Sequence, residues 1–159
     1  MKPTIEDTMP AQRLAWGLIA VGILARLLPH PWNVTPVTAI ALFGGATLSR
    51  RWAIGVPLAT IAISDLVLGW HDVVIFTWSG VIIIGLVGLW LRRQLGLRRV
   101  AVASLAGSTI FFLLTNFGVW LVGGHGAMYP KTLAGLAACY VAALPFYRNA
   151  LIGDLVYSL

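Results

Sequence analysis

Five apolar stretches, each close to the length of a bilayer crossing, constrain this chain more than any other feature. They are Ala11–Leu28, Trp52–Leu68, Val73–Leu91, Val100–Val122 and Thr132–Tyr157. A hydrocarbon core about 30 Å thick takes about 20 apolar residues at a rise of about 1.5 Å each. The 159 residues suit one domain. Only 10% of them are charged, against about a quarter in a soluble domain. That leaves too little polar surface to cover a soluble globule, so lipid must solvate much of the exterior.

A sixth apolar segment, Pro36–Leu48, has only 13 residues. As a helix it reaches roughly 20 Å, which fits a short helix inside the bundle or a re-entrant segment. Charge decides between these. Lys and Arg favour the cytoplasmic side in short loops. If all six segments cross, Lys2, Arg13, Arg50, Arg51, Arg92, Arg93, Arg98 and Arg99 fall on one side, and only Arg26, Lys131 and Arg148 lie elsewhere. If the short segment does not cross, Arg50 and Arg51 move opposite the four-arginine loop. The expected fold is therefore all-α, a polytopic membrane bundle of six transmembrane helices with both termini in the cytoplasm. The helices fall at about 11–28, 36–48, 52–70, 73–91, 100–122 and 132–157.

The same argument turns the net charge of +6 into a topology signal and removes the main support for nucleic-acid binding. Tryptophan gives a second check. Trp16, Trp52 and Trp90 fall near the inner boundary, and Trp32, Trp70 and Trp120 near the outer one, as an aromatic belt requires. The first stretch is too long for a signal-peptide core and runs into Pro29-His30-Pro31 with no small-residue cleavage site. The single cysteine, Cys139, permits no internal disulfide and sits mid-helix as a small packing residue.

Chemistry-bearing residues gather on the predicted outer side. All three histidines, His30, His71 and His125, fall in outer loops with Asn33, Asp72, Tyr129 and Lys131. They lie on three loops and match no compact metal motif, so the residues imply no metal and no cofactor. Within the segments lie Asp65, Asn116, Arg148 and Asp154. An ionisable residue inside a membrane is costly unless paired or facing water, which makes it a functional candidate. Asp65 sits at the depth of a cavity floor, and Arg26 is placed to neutralise it. The pair reads equally as a ligand site or a structural ion pair. Asn116 reads as a ligand contact or an interhelical hydrogen bond. Trp78 lies deeper than a belt residue and suits packing or stacking on a planar ligand. Ala11 and Ala15 mark a close helix contact at the inner end of the first helix. No P-loop, serine elbow or helical histidine pair is present, so an enzyme is not expected.

The segments Arg26-Leu-Leu-Pro-His-Pro-Trp-Asn-Val-Thr-Pro, Ala41-Leu-Phe-Gly-Gly-Ala, Ser64-Asp-Leu-Val-Leu-Gly and Pro145-Phe-Tyr-Arg-Asn-Ala-Leu-Ile-Gly-Asp-Leu resemble a family of small bacterial membrane proteins described as candidate transport proteins. That family is in turn similar to the substrate-binding S components of energy-coupling factor transporters, which bind vitamins or metal ions near the outer face. The resemblance implies a subunit of the bacterial inner membrane that captures a small water-soluble solute. The loops 29–35, 69–72 and 123–130 would close over it. His30, Asn33, Asp65, His71, Trp78, Asn116 and Tyr129 would line or lid the pocket. Ala11 and Ala15 would meet a transmembrane coupling subunit served by ATPase subunits. The region Thr77–Val81 carries no cysteine, which speaks against cobalt ligation by thiolate. Two other readings stand beside this one: a non-transporting accessory subunit of a larger membrane complex, and, ranked last, a membrane enzyme using Asp65 and the outer histidines.

Overall fold

A computed structural model describes residues 9–29 and 33–159, so Lys2, His30 and Trp32 lie outside the described residues. The described chain is all-α. Its six helices are α1 Met9–Leu27, α2 Val37–Thr47, α3 Arg50–Leu68, α4 Val74–Leu91, α5 Leu97–Val122 and α6 Leu133–Ser158. Helix α5 starts three residues earlier than its apolar run, and takes Arg98 and Arg99 into its first turn. Helix α3 stops at Leu68 because Gly69 turns the chain with φ 104°, a conformation open to glycine. Helices α3, α4, α5 and α6 are long and apolar enough to span a membrane. Helix α1 has comparable length, but Gln12, Arg13 and Arg26 dilute its apolar character. Helix α2, with 11 residues, reaches only about 16 Å.

The short helix is the axis of the bundle. Eight of its 11 residues are buried, as expected of a helix that is apolar all round. It packs mainly on α3 and α4 and also touches α1, α5 and α6. The other five helices neighbour one another in the order α1, α3, α4, α5, α6. Among the described residues α1 and α6 make no contact, so this ring is open on one side.

Glycine sets the α2–α4 distance. A Cβ on Gly45 would lie 2.5 Å from the Gly85 carbonyl oxygen, and one on Gly88 would lie 2.6 Å from that of Leu42. Only bare backbone permits this approach. The helices are then locked at one end. Arg92 Nε donates to the Gly45 carbonyl at 2.6 Å, and Arg92 Nη2 donates to that of Leu48. These carbonyls close the C-terminus of α2 and would otherwise lack partners. Burial, and then the neighbouring charge of Arg50, lowers the Arg92 pKa below the usual arginine value. The C-termini of α2 and α4 and the start of α3 therefore share one end of the bundle. At the opposite end the backbone N–H of His125 donates to Asp72 Oδ2 at 3.1 Å, which joins the α3–α4 and α5–α6 loops.

Candidate functional site

The α3 carboxylate of Asp65 is 1% exposed and holds three elements together. Arg26, from the last turn of α1, donates through Nη2 to Asp65 Oδ1 at 2.6 Å and through Nε to Ser64 Oγ at 2.6 Å. Trp78 of α4 donates through Nε1 to Asp65 Oδ2 at 3.0 Å. His71 Nε2 stands 3.7 Å from the same oxygen. Both oxygens are thus engaged, and the guanidinium supplies the opposite charge that a buried carboxylate requires. Trp70 lies beside Trp78 with ring centroids 6.0 Å apart. Through these contacts Asp65 clamps α1, α3 and α4 together.

Beside this clamp lies a cavity of about 590 Å³, within the range of small-molecule sites. Arg26, Leu68, Thr77 and Asn116 line the part nearer the His71 end of the bundle. Phe111, Phe112, Phe146 and Tyr147 give it aromatic walls. Tyr147 stacks on Phe112 with centroids 4.4 Å apart, and its hydroxyl meets Thr109 Oγ1 at 2.7 Å. Thr38, Ser108 and Asp154 line the part formed by the first turn of α2 and the middle of α5. The Ser108 hydroxyl meets Asp154 Oδ2 at 2.5 Å, and the Thr38 side chain also hydrogen-bonds this carboxyl. Asp154 is 5% exposed, and among the described residues no cation pairs with it.

The short α2 helps create this space. Residues 33–36, ahead of α2, enter the bundle: Asn33 has φ 61°, and Val34 packs against the Gly153 backbone on α6. Asparagine is one of the few side chains that adopt this backbone readily. Asn33 and Thr35 then face the cavity.

The residues singled out from the sequence divide into three sets. Asn33 and Asn116 line the cavity; Asn116 Nδ2 also donates to the Phe112 carbonyl at 2.8 Å on its own helix. Asp65, His71 and Trp78 come together in the clamp and do not line the cavity. Tyr129 lies in the α5–α6 loop and does not line the cavity, and His30 lies outside the described residues. Nearby, Lys131 Nζ donates to the Trp120 carbonyl, and Trp120 Nε1 donates to that of Pro130 at 2.9 Å. Among the described residues no group of three His, Cys, Asp or Glu side chains gathers as a metal site would require.

Ala11 and Ala15 correct one expectation. They are 2% and 0% exposed and pack inward in one cluster with Ile40, Leu48 and Val56. The chain itself covers them, so they do not present a contact surface to another subunit. Asp154, an intramembrane acid in the sequence, is a cavity residue that the sequence reading leaves out of the pocket. Its signal is the spacing Ala143, Tyr147, Ala150 and Asp154, four residues on one helical face that all line the cavity.

A family profile matches residues 7–159. The chain belongs to the DUF6580 family of unknown function. No curated protein and no solved structure matches the chain. The profile covers the clamp and the whole cavity lining of this DUF6580 member.

Proposed function

We propose that this DUF6580 protein is the substrate-binding membrane subunit of an uptake transporter of energy-coupling factor type, resident in a bacterial inner membrane. It crosses six times with both termini in the cytoplasm and captures a vitamin or micronutrient from outside. The observation that carries this reading is the 590 Å³ cavity, built from all parts of an apolar six-helix bundle and holding a few converging polar groups. The distribution of charge supports this orientation. Arg50 and Arg92 share one end, Arg93, Arg98 and Arg99 belong to the adjoining α4–α5 connection, and short basic loops face the cytoplasm. What supports six crossings is that the short α2 ends beside the C-terminus of α4, at the arginine-rich end. No ATPase motif is present in the sequence, so energy would come from partner subunits.

The alternative is a non-transporting accessory subunit. What favours it is the open side between α1 and α6, where an apolar groove of about 420 Å³ is lined by Leu18, Phe43 and Tyr157. Purification of the tagged chain from its own membranes separates the two. Recovery with an ATPase-bearing module and a bound small molecule supports capture. A stable stoichiometric complex with neither would establish the accessory role.

A further inference from the structure

Resting on the capture reading, we infer that the cavity selects a planar organic cation, held through N–H donors on the Asp154 carboxylate. The lining has two formally charged side chains of opposite sign, Arg26 and Asp154. They are not equivalent. The Arg26 charge is already met by Asp65 at 2.6 Å, so the pair offers little net field to a ligand. Asp154 has two hydroxyl neighbours, Ser108 and Thr38, and no cation among the described residues. An ionised carboxylate held among apolar side chains needs a positive partner, and among the described residues none is supplied there. Burial otherwise favours the protonated acid, and a cationic ligand would hold the group ionised.

The walls point to the same chemistry. Phe111, Phe112, Phe146 and Tyr147 present aromatic rings around the same space. Ring faces carry negative quadrupoles that attract cations and stack on flat bodies. A flat amidinium or protonated amino-heterocycle satisfies both demands, because its paired N–H groups match a carboxylate in bidentate fashion. An anion of the same shape would meet Asp154 as a like charge and would be excluded.

The test uses three probes of one shape: 2-naphthamidinium, 2-naphthamide and 2-naphthoate. Each is titrated at millimolar concentration into the full-length protein in lipid nanodiscs, with intrinsic tryptophan fluorescence and thermal shift as readouts. The amidinium is expected to bind at least about tenfold more tightly than the amide, with the carboxylate weakest of the three. In Asp154→Asn the amidinium should lose that advantage. Equal binding of all three, a preference for the carboxylate, or no binding by any probe overturns the inference. So does an amidinium preference that survives Asp154→Asn. The order on the unaltered protein decides the matter even if that variant fails to fold. Capture itself is judged separately: a co-purified anionic or neutral metabolite would refute the cation and leave the capture reading standing.

Discussion

Replacing Asp65 by asparagine keeps the volume of the side chain and removes its charge. The Arg26 guanidinium then stays beside α3 without a counter-charge. Breaking a fully buried ion pair from one side costs about 3–5 kcal/mol. The Arg26 side chain retains 20% exposure, so water recovers part of that, and about 2–3 kcal/mol is expected. Asp65→Ala should cost more, because the Trp78 indole N–H also loses its acceptor, which adds about 1–3 kcal/mol. Arg26→Met combined with Asp65→Leu removes both charges and should be less destabilised than Asp65→Leu alone. The assay is reversible unfolding by sodium dodecyl sulfate titration in mixed micelles, read as a double-mutant cycle. The reasoning is refuted if Asp65→Asn stays within about 0.5 kcal/mol of the unaltered protein, or if the double variant is worse than Asp65→Leu.

Three further outcomes follow from the packing. Gly88→Ala places a Cβ 2.6 Å from the Leu42 carbonyl oxygen, so α2 and α4 must separate, and the same unfolding assay should register a loss of about 1–3 kcal/mol. Arg92→Met leaves the Gly45 and Leu48 carbonyls without their donor and should lower stability by about 1–2 kcal/mol, whereas Arg93→Met, at an exposed position, should change little. In a Cys139→Ala background, a cysteine introduced at His125 should react with an impermeant maleimide in whole cells, and one introduced at Arg98 only after permeabilisation; the reverse pattern would invert the bundle.

Much of this architecture is legible in the sequence because lipid imposes simple rules. Five apolar stretches mark α1 and α3 to α6, and four of these helices, α3 to α6, are long and apolar enough to span a membrane. Arg26 and Asp65 stand out as opposite charges at similar depth near one end, and in the structure they meet. Trp78 as a third partner was not legible, since an indole that stacks and an indole that donates look alike in sequence. The place of α2 was hidden for a different reason: a segment apolar on every face carries no periodicity to orient it. The small-residue contacts show the same limit. Ala11 and Ala15 suggested an outside partner but line the chain's own core, while Gly45, Gly85 and Gly88 make the closest crossing. Which small residues meet depends on the tertiary arrangement. Asp154 shows how depth alone misleads. It sits near the end of the last helix, yet the short α2 leaves space that brings Thr38 and Ser108 to it.

Solute capture is tested most directly by native mass spectrometry of the protein released from nanodiscs made with its own membrane lipids. The unaltered protein should carry one small-molecule adduct of constant mass. Ala150→Phe, which fills the cavity from α6, should fold and carry none. An unaltered protein that is always free of adduct, or an adduct that persists in Ala150→Phe, would contradict capture in this cavity.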